Sequence, residues 1–233
     1  MIQQYINDLQ FPLSKKRLNA YRPDQGSDLE MVVNYFWNLR LCEALYPTLN
    51  AAEIALRNSI NTALENYYNE YWFEDSWTDG ARLLEPLQYE QVEDARSKLR
   101  KRKSPETPGR IVAELSFGFW VNLFNRPYEE KIWSLNNYAL LRIVFPDSRR
   151  RDRRRSLLRD RFAAINDLRN RVFHYEPIEY RKTLGKEHAD ILQAIGWISP
   201  VMRDSIKLYD RFPDVYRTGR EHVEATIKQH LGI

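Results

Sequence analysis

A chain of 233 residues is long enough to bury a core without cross-links, and its single cysteine, Cys42, excludes an internal disulfide. A formal net charge of +4 is too small to define a partner by itself, so the distribution of charge matters more than the sum. No window approaches the roughly 18 consecutive apolar residues of a membrane span, and the start MIQQYINDLQFPLSKK has no apolar stretch behind a basic one; the expectation is a cytoplasmic protein outside the membrane.

Glycine is scarce, strict alternation of apolar and polar residues is nearly absent, and apolar residues recur at three and four spacings, which predicts an all-α chain. Ser27 or Asp28 caps a helix through about Tyr46, and Pro47 with Thr48 marks a turn into a second helix reaching about Trp72. Polar residues from Asp75 to Gly80 predict a loop. A helix follows over Gln88 to Lys101, broken by Ser104-Pro105-Glu106-Thr107-Pro108-Gly109. The segment IVAELSFGFWVNLF, residues 111 to 124, is apolar nearly all round and predicts one central buried helix. Glu129 to Phe145 predicts another, ended by Pro146-Asp147-Ser148. Arg149 to His174 reads as one long helix, stopped because Pro177 disfavours helical geometry at Glu176. Glu187 to Phe212 gives a last helix, kinked or split by Gly196 and Pro200. With no repeat and no low-complexity linker, residues 1–233 read as a single helical domain.

Positive charge gathers in two places. Lys98, Arg100, Lys101, Arg102 and Lys103 form one cluster, read equally as a solvated helix surface. Arg149, Arg150, Arg151, Arg153, Arg154, Arg155, Arg159 and Arg161 form a denser one, interrupted only by Asp152 and Asp160. Guanidinium groups so close repel one another unless a polyanion spreads or screens them, so this run is the candidate for contact with a polyanion, of which RNA is one.

With residues about 100° apart on a helical wheel, Leu158, Phe162, Ile165, Leu168 and Val172 form an apolar stripe with Arg169 inside it. A cation there needs compensation. Either a buried carboxylate holds it, with Glu114 and Glu53 as candidates, or it lines a cleft for an anionic substrate. His174 stands where the helix must end and shares a face with Asn170; it is either a terminal capping residue or a proton-transfer group. Glu53 interrupts the stripe Leu49, Leu56, Ile60, Ala63 and Tyr67, with Arg57 four residues on, which reads as a buried ion pair or, less directly, as support for a site. Trp120 and Trp133 have the spacing of core residues, although either ring is also of the kind that stacks on a base. Only four histidines occur, His174, His188, His222 and His230, and none falls in a familiar metal-ligand spacing; no cofactor is expected.

Several segments resemble the Abi-like (abortive infection) family of the HEPN ribonuclease superfamily: LNAAEIALRNSI at 49 to 60, RIVAELSFGFWVNLF at 110 to 124, and LRNRVFHYEPI at 168 to 178. The last carries the HEPN signature, an arginine, a polar residue and a histidine after four intervening positions, here Arg169, Asn170 and His174. The opening residues Arg17, Leu18 and Tyr21, followed by Tyr35, Trp37 and Asn38, are similar to the family's start. Tyr175 departs from it, because many relatives carry a second histidine there, and nothing is carried over beyond about residue 180.

The resemblance implies a HEPN-like helical bundle with additional N- and C-terminal helices, and metal-independent endoribonuclease activity in phage defence or a toxin–antitoxin pair. It also implies a homodimer whose two copies complete one site, and an antitoxin or trigger protein that restrains it. His174 is then expected to take the proton of a ribose 2′-hydroxyl, Arg169 to stabilise phosphate charge, and Asn170 to orient substrate or histidine. Two other classes stand beside this one: a HEPN module that binds RNA without turnover, and a protein-interaction subunit.

Overall fold

The computed structural model describes residues 2–74 and 83–233, all helix, turn and loop, with no strand among them. The loop expected at Asp75 to Gly80 lies outside the described residues. Eleven α-helices occur among them: α1 (Ile2–Leu13), α2 (Lys15–Asn19), α3 (Asp28–Tyr67), α4 (Pro86–Lys101), α5 (Pro108–Glu114), α6 (Phe117–Asn122), α7 (Leu135–Val144), α8 (Arg155–Phe173), α9 (Leu184–Ile198), α10 (Pro200–Lys207) and α11 (Phe212–Leu231), with a π-helical turn at Glu129–Trp133 before α7. No helix among the described residues is long and apolar enough to cross a membrane.

The chain divides into two compact units. Unit 1 comprises Met1–Leu49, Asp167–Ala189 and Ile206–Ile233; unit 2 comprises Asn50–Asn166 and Asp190–Ser205. Helices α3, α8, α9 and α10 contribute residues to both.

Unit 1 begins with α1 packed on α2. Its α3 residues open with a reciprocal cap: Ser27 Oγ accepts from the Glu30 N–H, while the Glu30 carboxylate accepts from the Ser27 N–H and hydroxyl at 2.8 and 2.9 Å. These bonds hold the Glu30 carboxyl below its ordinary range. Met31, Val32, Leu41 and Leu45 are buried, as are Ile178, Leu184 and Phe212 from later segments. Helix α11, which the sequence pattern did not signal, breaks at Gly219, whose φ of 79° favours glycine.

Unit 2 is organised around rings. Trp72, Phe119 and Trp120 meet at centroid separations of 5.1 to 6.4 Å, and Phe124 stacks on Trp133 at 4.7 Å and on Phe162 at 6.1 Å. Trp120 and Trp133 are therefore core residues, 0% and 1% exposed, with Trp133 Nε1 donating to the Leu123 carbonyl.

Four expected boundaries are corrected. Pro47 does not end a helix: α3 runs through it to Tyr67, and the buried Thr48 hydroxyl donates to the Leu45 carbonyl at 3.0 Å, adding a bond in the turn where proline lacks its N–H. Residues 111 to 124 form two helices, because Leu115 is extended and the Ser116 hydroxyl accepts from the Phe119 N–H, capping α6. Glu129 to Phe145 divides into the π turn and α7, with left-handed backbone at Asn136, Asn137 and Tyr138. Helix α8 starts at Arg155 rather than Arg149; residues 149–154 turn instead, with Asp152 and Arg153 N–H donating to the Arg149 carbonyl. Consecutive arginines placed at helical three and four spacings repel, which favours the turn. At the far end, the split expected near Pro200 is present, with Pro200 at the first position of α10 and Gly196 inside α9.

Candidate active site

The site is built on the last turns of α8. The stripe expected from the wheel is buried: Leu158, Phe162, Ile165, Leu168 and Val172 are each at most 4% exposed. Arg169 is half-buried within it, and its guanidinium lies over the Phe173 ring, 4.2 Å from the centroid. A ring face attracts a cation through its quadrupole, which orients the planar group. Its Nη1 points to the exposed Asn170, 3.4 Å from Oδ1.

His174 is exposed, and its N–H donates to the Asn170 carbonyl at 2.9 Å, placing the imidazole one turn beyond the amide on the same face. Arg169, Asn170 and His174 are thus gathered at one helix end. The helix then closes in a left-handed turn: the Tyr175 N–H donates to the Val172 carbonyl, the Glu176 N–H to the Arg171 carbonyl, and Tyr175 has φ 58°.

A non-glycine residue in that conformation needs support. The Tyr175 carbonyl accepts from Arg17 Nη2 at 3.0 Å and from the Tyr21 hydroxyl at 3.1 Å. Fully buried Asn38 spans the rest: its Nδ2 donates to the Tyr21 oxygen at 3.2 Å and the Glu176 carbonyl at 3.4 Å, while its Oδ1 accepts from the Ile178 N–H at 2.7 Å. Sequence reasoning matched Arg17, Tyr21 and Asn38 to a family pattern but gave them no role; the signal available was a polar asparagine amid buried neighbours.

Beside the helix end lies a cavity of about 400 Å³, walled in part by Cys42, Tyr46, Pro47, Val172, Phe173 and Tyr175. Tyr46 stacks on Phe173 at 5.2 Å and remains half exposed. Burial pushes the Cys42 thiol up to about 12, with the Glu179 carboxylate adding to it, which agrees with a packed thiol. Burial likewise raises the Tyr21 phenol to about 12, against the pull of the Arg17 cation. Desolvation also raises the Glu179 carboxyl. Cys42 and Tyr21 therefore keep their protons at neutral pH and cannot act as bases there, whereas the imidazole of His174 meets solvent.

Glu114 pairs with Arg102, which corrects its candidacy as the partner of Arg169. Glu53 and Arg57 are half-buried, and Arg57 Nε donates to Asn58 Oδ1 at 3.1 Å. In unit 2, Arg149, Arg150, Arg151 and Arg154 are exposed, and Arg153 is half-buried. Arg155 stands apart from this run, tied to the Glu129 carboxylate and the Phe124 carbonyl, so its guanidinium is engaged inside the unit. Arg161 likewise pairs with Asp190 at 3.0 Å and lies over the Trp197 ring. Among the described residues no three histidine, cysteine, aspartate or glutamate side chains are grouped as metal ligands. Comparison with protein-family models, with curated proteins and with solved structures finds no match to this chain.

Proposed function

We propose that this chain is a HEPN-type endoribonuclease, cleaving RNA by attack of a ribose 2′-hydroxyl on the adjacent phosphate. The observation that carries the reading is the grouping of a half-buried guanidinium, an exposed amide and an exposed imidazole at one braced helix end. His174 takes the 2′-hydroxyl proton, the 2′-oxygen bonds to phosphorus, and the bond to the 5′-oxygen breaks, leaving a 2′,3′-cyclic phosphate and a 5′-hydroxyl. Arg169 offsets the charge building on the phosphate oxygens, with Asn170 fixing the guanidinium and the substrate. The leaving oxygen needs a proton, which His174 of a second copy supplies across a two-fold axis; the site is then shared by a homodimer. The cavity beside Phe173 offers aromatic faces on which a base next to the cut can stack, favouring unpaired RNA. Such an activity calls for restraint by an antitoxin or an infection trigger, and for action in phage defence.

The test uses end-labelled RNA with chelator present. Arg169→Ala and His174→Ala should each lower the cleavage rate by about 100-fold or more, and the products should carry cyclic phosphate ends. Full activity in either variant, or cutting of a strand containing only 2′-deoxyribose, rejects the mechanism.

A further inference from the structure

Unit 2 holds a different cavity, of about 450 Å³, walled by Asn137, Tyr138, Leu141, Arg142, Arg150 and Arg153. Three arginines from two segments, α7 and the 149–154 turn, line one space, and among the described residues no carboxylate lines it. Like charges gathered around a cavity repel, and an anion between them reverses the sign of that interaction. The acid of the turn does not supply it, because Asp152 faces Arg151, 3.9 Å away and outside the cavity wall. Among the described residues Arg153 Nε is buried with no hydrogen-bond partner, a donor of the kind that normally finds an acceptor.

The start of α7 has a second feature. Asn136, Asn137 and Tyr138 are consecutive left-handed residues, φ 46°, 56° and 60°, and side chains other than glycine resist this conformation. It presents the Asn137 amide and the half-exposed Tyr138 ring at the cavity. Cations, an aromatic ring and an amide around one space match a phosphate joined to a planar base.

We propose that this cavity binds a nucleotide, with Arg142, Arg150 and Arg153 on its phosphate and Tyr138 against its base. The nucleotide is either free or part of an RNA strand; only the second source rests on the nuclease reading. None of these residues belongs to the Arg169, Asn170 and His174 group.

Binding of ATP, inorganic tripolyphosphate and a single-stranded oligoribonucleotide is measured by calorimetry on the full chain carrying His174→Ala, which prevents turnover of the RNA. ATP should saturate one site per chain. Arg142→Gln and Arg153→Gln should each weaken it at least tenfold, whereas Arg126→Gln, exposed and outside the cavity wall, should leave it unchanged. Tyr138→Leu should weaken ATP and spare tripolyphosphate. Competition between the oligonucleotide and ATP assigns the site to the strand; ATP binding without competition assigns it to a free nucleotide. If neither ATP nor tripolyphosphate binds and RNA affinity ignores Arg142→Gln and Arg153→Gln, the site is overturned. A chain that binds ATP here but whose unsubstituted form cuts no RNA keeps this inference and loses the nuclease reading, and the converse result separates them in the other direction.

Discussion

Asn38 shows how a residue far from His174 in sequence holds the turn that follows it. Its amide satisfies the Ile178 N–H and reaches Tyr21 and the Glu176 carbonyl, so three polar groups depend on one side chain. Asn38→Ala leaves the Ile178 donor unpaired in the interior, a loss of about 1–3 kcal/mol for a buried amide. Thermal unfolding should shift downward, and RNA cleavage should fall at temperatures where the variant remains folded, because the turn carrying His174 relaxes; an unchanged melting temperature contradicts this role. Arg169 was legible as a charge on an apolar stripe, and the halt of α8 at Pro177 placed His174 at an end. Asn38 was not, since its partners lie about 140 residues on, and a one-dimensional pattern carries no information about which distant carbonyls will need a donor.

Helix existence was legible where apolar periodicity was sustained, as in α4 and α8, because burial of a stripe overrides weak local preferences. Boundaries were less so. Pro47 signals a break by its missing N–H, yet the apolar residues on both sides hold α3 continuous; at Ser116 the reverse holds, and a single hydroxyl ends a run that looked uniformly helical. The joint between α9 and α11 was invisible in sequence and rests on a buried pair. His188 Nε2 lies 2.8 Å from Asp210 Oδ2, with Phe212 stacked on the imidazole at 4.5 Å. Burial lowers the His188 pKa, outweighing the attraction of Asp210, so the neutral ring is the folded form. Unfolding exposes a group that binds its proton near pH 6.5. The stability it contributes is thus full above about pH 6.5 and declines as the pH falls from there toward the lowered folded-state value. The melting temperature should drop between pH 7 and 5, and His188→Gln should flatten part of that slope; equal slopes in the two proteins dismiss the pair as its source.

For the whole molecule, +4 understates what a polyanion meets, because Arg149, Arg150, Arg151 and Arg154 are exposed close together in sequence while several other arginines are occupied by partners. Four phosphate contacts on a single strand predict a slope of about −3 in log affinity against log salt concentration, at roughly −0.7 per contact. Replacing Arg149 and Arg151 by glutamine should bring it to about −1.4. A salt-independent affinity excludes the run from RNA binding. The division into two compact units was not legible, since helices that serve both carry no break at the crossing points.

The clasp of Arg17 and Tyr21 on the Tyr175 carbonyl also has a practical meaning. The segment carrying Arg17 and Tyr21 acts as a latch for the far end of α8, and an inhibitor of the proposed nuclease would not have to touch Arg169, Asn170 or His174. Prising that opening segment loose would let the strained tyrosine relax, and the imidazole would lose its aim while every residue of the signature stayed in place.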